Sequence, residues 1–401
     1  MEEERLMKRL VLCLLLVVLL VPAEARKYPF IRADKSTLQY PAGTSPDYYL
    51  FLRKLDTLLN TGRGDVKVLH MGGSHVQAGT FSDRLRKRFL SLRYGIDGGR
   101  GLVFPFSAAL TNTPASYLSS WQGSWESGTC LKPKELDLGA CGIAVKAQDT
   151  TARVIVDLVL KEPQLLQQHY AFNKVDVLGA GSMEPILILH GRDTVRGVRG
   201  KELCHFDLPY YTDWLQLAFT GKGSYTLRGL YLDRPTEGFT LSEAGVNGAA
   251  TTSWLRCNRM VEDLRRVHPD LVIFSIGIND IQGTEFNVNH FKANYRALIR
   301  EIRKVNPRCA FLFTGINDSW KRGRNVNPYT AEAERAFKDL AAEYKAVFWD
   351  WYEVMGGYAS MALWQEAGLA QSDKVHFTPQ GYKLVADLLF DAIMEDYYFR
   401  R

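Results

Sequence analysis

The sequence predicts an α/β protein, a three-layer α/β/α domain built on a parallel sheet and interrupted by an inserted β-rich module, a sandwich or a barrel. Near both ends of the chain, short apolar runs alternate with amphipathic helical stretches. Between them lies a segment of closely spaced β-rich runs. A chain of 401 residues, 46% hydrophobic and 23% charged, can bury a large core and exceeds one ordinary domain. Fibrous, collagen-like and disordered classes are thereby excluded.

The first 25 residues have the anatomy of a secretory signal. Lys8 and Arg9 precede an apolar run from Leu10 to Val21, and Ala23-Glu24-Ala25 places small residues at the two cleavage-reading positions, so the mature chain is expected to begin at Arg26. The run is too short for a permanent span, which needs about 20 apolar residues, and no later stretch reaches that length. An uncleaved anchor is the alternative reading. Residues 26–105 hold the first part of the α/β domain. Tyr48, Leu50, Leu52, Leu55, Leu58 and Leu59 recur at roughly helical spacing up to a Thr61-Gly62 stop. Val66 to His70 is a short apolar strand that runs into Gly72-Gly73-Ser74, and Leu85, Phe89 and Leu92 mark a helix over 82–92. Residues 106–235 form the insertion, with β-rich runs at 153–160, 175–178, 186–189, 214–219 and 224–232 separated by Gly, Asp and Asn turns. Residues 236–401 return to alternation, with strands at 271–276, 310–313 and 347–349. Helices are expected at 289–305, 329–344 and 379–398, the last carrying Tyr382, Val385, Leu389 and Ile393 on one stripe. Such alternation implies a parallel sheet covered by helices on both faces.

Fifty basic against 44 acidic side chains give a formal charge of +6, with no block of five or six like charges, so no nucleic-acid partner is expected. The densest basic cluster, Arg84, Arg86, Lys87 and Arg88, reads as a solvated helix face. The mild positive excess favours anionic surfaces or glycans by long-range attraction. Cys13 lies in the apolar run without the small residues that precede a lipoprotein cleavage site. Cys130, Cys141, Cys204, Cys257 and Cys309 are odd in number and irregularly spaced, which supports neither a disulfide framework nor a structural zinc site. A Cys130–Cys141 bridge is compatible with an oxidising compartment, and buried thiols are the simpler reading. No metal and no cofactor are expected.

Four short blocks carry candidate chemistry. Ser74 sits where the first parallel strand turns into a helix, at the carboxyl edge of the sheet and near a helix N-terminus that favours negative charge. Gly72 and Gly73 permit a tight turn, although Gly-Gly-Ser is also a common loop. Gly245 to Thr251 is a Gly-rich loop before a helix starting near Thr252. Ser275-Ile276-Gly277-Ile278-Asn279-Asp280 ends an apolar strand, and Asp373-Lys374-Val375-His376 precedes the last helix. Together they supply what acyl transfer needs: Ser74 as nucleophile, His376 as general base and Asp373 to orient the imidazole. The amides of Ser74 and Gly248 and the side-chain amide of Asn279 are candidate oxyanion donors.

In this order the blocks resemble the SGNH (GDSL-like) hydrolase superfamily, whose Ser, Gly, Asn and His fall on Ser74, Gly248, Asn279 and His376, with Asp373 matching the acid three residues ahead of the histidine. The resemblance covers about residues 65–104 and 240–398. It implies a flavodoxin-like α/β/α fold and ester hydrolysis by the triad Ser74, Asp373 and His376, with Ser74, Gly248 and Asn279 as the oxyanion hole. The segment 70–79 is similar to secreted bacterial esterases related to peptidoglycan O-acetylesterases, which carry a β-sandwich inserted at this place. That similarity implies a secreted or periplasmic bacterial enzyme acting on an O-acylated, above all O-acetylated, glycan of the cell wall or another polysaccharide. One departure stands out. The family usually has Asp before the nucleophile as a support for the block, and here the residue is Gly73, which is expected to loosen the nucleophile turn.

Gly315-Ile316-Asn317-Asp318 repeats the tetrapeptide Gly277 to Asp280 one strand later. The first copy is the expected site, since it follows a continuous strand and lies one helix after Gly248. Among the other histidines, His169, His190, His205, His268 and His290 read as structural or solvated, and His70 and His75 stand closest to Ser74. Trp121, Trp125, Tyr210, Tyr211 and Trp214 can offer faces to sugar rings, although aromatics in a sandwich more often fill its core. A nucleophile-elbow α/β-hydrolase is disfavoured, because no Gly stands two residues after Ser74 and the acid and base lie together near the C-terminus. The expected function is a secreted serine esterase working through an acyl-enzyme. The alternatives are O-acetyl transfer to a glycan acceptor with the same triad, and a non-catalytic glycan-binding protein on an esterase scaffold.

Overall fold

The computed structural model describes residues 25–133, 136–158, 170–191 and 193–400. The expected signal segment apart from Ala25, with Cys13, lies outside them, as do His169 and the end of the run expected at 153–160.

A six-stranded sheet forms the spine. Its members are β1 (Leu38–Gln39), β2 (Val66–Gly72), β3 (Phe239–Gly245), β4 (Leu271–Ser275), β5 (Ala310–Phe313) and β6 (Val347–Trp349), in the spatial order β1-β6-β5-β4-β2-β3. All neighbours pair in parallel except β1, which runs antiparallel to β6 at the edge. Taken alone, the parallel strands therefore run second, first, third, fourth, fifth in chain order, the doubly wound arrangement in which β2 and β4 flank a topological switch point. In open sheets of this kind ligands bind in the crevice at the carboxyl ends beside that point.

Strand residues alternate between two apolar layers, as a period of two demands. Val66, Val68, Leu271, Ile273, Leu312 and Val347 face a layer shared with α1 (Pro46–Thr61), α2 (Thr80–Leu90) and the last helix, Pro379–Arg400. Leu69, Met71, Val272, Phe274, Phe311 and Phe348 face the other layer, where Tyr295, Leu298, Phe337 and Leu340 come from the helices Val288–Arg303 and Thr330–Tyr344. Glycine closes α1 as the sequence predicts, with Gly62 at φ +73° donating its N–H to the Leu58 carbonyl.

Between β2 and β3 the chain builds two antiparallel sheets. One holds 118–122, 153–157, 184–189, 193–196 and 214–220; the other is built around 172–181, 203–212 and 225–233. The second is joined by Gly101–Val103, which pairs with Tyr225–Asp233. The sequence-stretch 193–196 and the pair 118–122 and 125–129 are strands that the β-rich pattern does not mark, because their burial is low or irregular.

The inserted sheets share one apolar cluster with the second layer of the α/β domain. Buried ion pairs add direction to that contact. Arg228 of the insertion meets Asp263 at 2.8 Å, and Arg266 meets both Asp176 and Asp233. Arg100 reaches Glu243 on β3 at 2.7 Å. Such pairs contribute little net stability over an apolar contact but fix one orientation, since misdocking would leave a buried charge alone.

The cluster Arg84 to Arg88 is not a solvated face. Arg86 is buried against Asp83 and the Leu241 carbonyl, while Arg84 and Arg88 pair with Asp387 and Asp391 on the last helix. Asp83 also pairs with Lys87, but the acids that neutralise Arg84 and Arg88 lie about 300 positions away in sequence, which no local pattern reveals. All five cysteines of the described residues are free and buried, in keeping with the thiol reading, and Cys130 and Cys141 are not bridged. No described helix is long and apolar enough to cross a membrane.

Candidate active site

The crevice beside β2 and β4 gathers all four sequence blocks. β2 ends at Gly72, Gly73 caps the one-turn helix Ser74–Gln77, and Ser74 therefore stands at the carboxyl edge of the sheet. A side chain at position 73 would be tight: a Cβ there would sit 3.2 Å from Asn279 Nδ2 and 3.3 Å from the Ala249 carbonyl. The expected looseness of the nucleophile turn is thus countered, because the amide of Asn279 and the loop 246–250 close directly onto the glycine.

Ser74 Oγ lies 2.7 Å from His376 Nε2, and His376 Nδ1 lies 2.6 Å from Asp373 Oδ2. The other carboxylate oxygen, Asp373 Oδ1, accepts the backbone N–H groups of Val375 and His376 at 2.9 and 3.0 Å. The turn between acid and base runs through Lys374 at φ +56°, which folds the carboxylate back beneath the ring. Partial burial pushes the Asp373 carboxyl up, but the hydrogen bonds from His376 and from the two amides outweigh it and hold the acid below its ordinary range. The acid is therefore ionised and directed at Nδ1, which leaves Nε2 to accept from the serine hydroxyl.

Gly248 has φ +78° and turns the loop after β3, which the Ala249 carbonyl joins to Asn279. Among the described residues neither the Ser74 nor the Gly248 backbone N–H has an acceptor. Asn279 donates one amide hydrogen to the Ala249 carbonyl at 3.0 Å, leaving the second free. Beneath this loop, Asp280 accepts from the Thr251 N–H and hydroxyl, at 3.0 and 2.6 Å, and so ties the Asn279 turn to the loop. Burial raises the Asp280 carboxyl to about 6, against the lowering effect of the Thr251 bonds.

Asn317, in the repeated tetrapeptide, occupies a different place. It is fully buried and donates to the carbonyls of Asp318 and Val375, at 2.8 and 3.1 Å, so it braces the His376 turn from behind. Its neighbour Asp318 accepts the Met361 N–H. His75 lies under the site, with Nδ1 2.8 Å from the Tyr382 hydroxyl and its ring 5.4 Å from that of His376. His70 bridges Ser82 and Ser275 within the sheet, at 2.8 and 2.9 Å. Burial lowers both imidazoles to about 3, helped by the charge of Arg86 at His70 and of His376 at His75, so both stay neutral inside the fold.

The supporting links around Gln77 escape a sequence reading. Gln77 is buried, accepts the Asn247 N–H at 2.6 Å and donates to Thr111 and Asn112 of the insertion, which joins the serine helix, the Gly248 loop and the inserted chain. Asn247 completes the link by donating to Asn112 Oδ1. Gln77 lies three residues after Ser74 on the same helical face, and that spacing is the one signal available for it. Of the insertion's aromatics, Trp121 and Tyr211 are exposed, Tyr211 lies under the Arg234 guanidinium, and Trp125 packs on Phe219. Among the described residues no group of three His, Cys, Asp or Glu side chains is arranged to hold a metal ion.

Residues 213–384 match the GDSL-like Lipase/Acylhydrolase family, a span that contains the Gly248, Asn279 and His376 blocks but not Ser74. No curated protein matches the chain. Among solved structures, a peptidoglycan O-acetylesterase is 24% identical with a TM-score of 0.74, over 90% of this chain and 99% of that one. An acetyl xylan esterase is 21% identical over 38% of this chain and 81% of its own, with a TM-score of 0.32. A lipase/acylhydrolase from Enterococcus faecalis is also 21% identical, over 38% and 75%, with a TM-score of 0.31. The whole-chain likeness to the first extends through the inserted sheets and shows a common fold. The second half of the chain thus matches the GDSL-like lipase/acylhydrolase family, its ordered blocks gather around one crevice, and the whole chain shares the fold of a peptidoglycan O-acetylesterase.

Proposed function

We propose that the protein is a secreted serine esterase that removes O-acetyl groups from peptidoglycan or a related polysaccharide through an acyl-enzyme. The observation that carries this reading is the continuous relay Asp373–His376–Ser74, at 2.6 and 2.7 Å, beside three N–H donors without full occupancy. Ser74 Oγ attacks the ester carbonyl while His376 Nε2 takes its proton, and the resulting imidazolium is stabilised by the ionised Asp373. The oxyanion that develops is met by the N–H groups of Ser74 and Gly248 and the free amide hydrogen of Asn279, each such donor contributing about 2.7–4 kcal/mol to the transition state. His376 then gives the proton to the departing sugar oxygen as its bond to the carbonyl carbon breaks, leaving acetyl-Ser74 and a free sugar hydroxyl. Water, activated by the same imidazole, releases acetate and restores the serine.

The glycan is supported by the fold shared with a peptidoglycan O-acetylesterase, and secretion by the signal anatomy of residues 1–25. Ser74→Ala is expected to lower p-nitrophenyl acetate turnover by at least about 10⁴-fold with an unchanged thermal midpoint, and to abolish labelling by a fluorophosphonate. The same variant should release no acetate from O-acetylated peptidoglycan. Retained turnover with Ala at position 74 would refute the assignment of the nucleophile.

A further inference from the structure

The chain between β5 and the helix Thr330–Tyr344 forms a two-stranded hairpin, Trp320–Lys321 with Asn325–Val326, whose turn reads Lys321-Arg322-Gly323-Arg324. This hairpin is anchored to both flanks of the reacting centre. On one side the Trp320 N–H donates to the Lys374 carbonyl at 3.0 Å, Lys374 Nζ lies 3.8 Å above the Trp320 ring, and Gly323 approaches the Asp373 carbonyl. On the other side, Gln282, just after the turn that carries Asn279, donates to Ser319, and Lys321 Nζ reaches the Gly283 carbonyl at 2.6 Å. The hairpin thus bridges the Asn279 block and the His376 block at the mouth of the crevice.

Its charge is uncompensated. Among the described residues no salt bridge joins Lys321, Arg322, Arg324 or Lys374 to a carboxylate, in contrast to the cluster Arg84 to Arg88, whose members are all paired. The nearby acids are otherwise engaged: Asp373 holds His376, and Asp318 caps the helix Ser360–Glu366 from a buried position. Arg322 and Arg324 are exposed, and the aromatic and carbonyl contacts of Lys374 and Lys321 fix two of the four cations in place.

Building on the proposed esterase function, we propose that this basic hairpin with Lys374 selects polyanionic glycans, binding a carboxylate or phosphate carried on the sugar chain next to the acetyl ester. The charge that an acetylated polysaccharide bears at intervals is drawn to the crevice mouth by the unpaired cations, and the ester is thereby presented to Ser74. Opposed charges on a partly exposed surface attract only weakly, so two arginines together set a preference of roughly tenfold.

The test compares the full chain with the double variant Arg322→Asn, Arg324→Gln; Asn suits the left-handed backbone at position 322, where φ is +51°. Three O-acetylated polymers serve as substrates: dextran, polygalacturonate and dextran phosphate. The ratio of kcat/KM on an anionic polymer to that on acetyl dextran should fall about tenfold in the double variant, through KM. In the unaltered protein that ratio should also fall as salt rises from about 0.01 M to 1 M, where the screening length shrinks from about 30 to 3 Å. A fall confined to polygalacturonate identifies a carboxylate ligand, and one confined to dextran phosphate identifies a phosphate ligand. In parallel, retardation of both proteins in gels containing the deacetylated polymers reads binding without catalysis. Weaker retardation of the double variant supports the inference even if no ester is cleaved, in which case the esterase reading alone fails. Equal retardation and an unchanged ratio overturn the inference whatever the esterase activity.

Discussion

Gly73 offers the sharpest test of how the nucleophile is held. Replacing it with Ala adds one methyl group whose carbon would lie 3.2 Å from Asn279 Nδ2 and 3.3 Å from the Ala249 carbonyl oxygen. Both distances fall short of an ordinary van der Waals contact of about 3.5–4.0 Å, so the neighbours must retreat by a few tenths of an ångström. The two atoms contacted are also hydrogen-bonded to each other at 3.0 Å, which means the methyl group acts as a wedge against the pair rather than against one flexible tip. Asn279 has a free amide hydrogen to offer the oxyanion, and full loss of one such donor costs about 10²–10³ in kcat. A partial displacement is therefore expected to lower kcat on p-nitrophenyl acetate by about 10- to 100-fold. KM should change less, because the donor acts on charge that develops only in the transition state. The thermal midpoint, read alongside, separates a displaced donor from an unfolded chain. Gly73→Asp should do worse than Gly73→Ala, since its carboxylate would enter a pocket that already holds the Ala249 and Val246 carbonyls. If kcat for Gly73→Ala stays within about twofold of the unaltered protein, Asn279 is not an oxyanion donor and the reasoning fails.

Other consequences of the same geometry can be read with similar assays. Asp373→Asn keeps the shape of the turn but no longer favours the tautomer that accepts from Ser74, so kcat is expected to fall by roughly 10³–10⁴ with the fold intact; a loss below tenfold would remove Asp373 from the relay. Gln77→Leu deletes the bonds to Asn247, Thr111 and Asn112, leaves the Asn247 N–H unmet, and should lower both kcat and the thermal midpoint, because the Gly248 loop and the insertion lose their common anchor. For pH, His70 is held neutral at about 3 in the fold, whereas an unfolded chain takes up the proton below about 6.5. Its contribution is complete above 6.5 and declines as pH falls from 6.5 toward 3. Between pH 7 and 5 the unaltered protein should lose about 2 kcal/mol more unfolding free energy than His70→Gln, measured by denaturant titration. Equal losses would show that His70 titrates normally.

The sheet was legible in the sequence because its strands are buried on both faces, and short uninterrupted apolar runs such as 271–275 and 310–313 stand out between amphipathic helices. The Ser74, Asn279 and His376 blocks were legible for a related reason, since each follows a strand or precedes a helix that announces itself. What escaped notice shares one trait. Asn317 is set apart from Asn279 by the sequence, one strand later, but its bond to the Val375 carbonyl, by which its loop buttresses the His376 turn, joins residues 58 positions apart. The acids that neutralise Arg84 and Arg88 sit on the last helix, and the partner of Gln77 sits in the insertion; in both cases the deciding contact is remote in sequence and periodicity carries no trace of it.

Those remote contacts bear on what the insertion does. A module joined only through flexible linkers would need no buried charges at its boundary, yet Arg228–Asp263 is buried there. Removing one partner from such a pair typically costs about 3–5 kcal/mol, so the module is held in one orientation against the α/β domain. From that fixed position it sends Asn112 to Gln77 and Asn247, and sets Leu131 within about 4 Å of where a side chain at Gly248 would begin. The Gly248 loop is thus supported from below by Asp280 and from the side by the insertion. That loop is held by two separate parts of the chain, and the inserted sheets belong to the architecture around it as much as the sheet that carries Ser74.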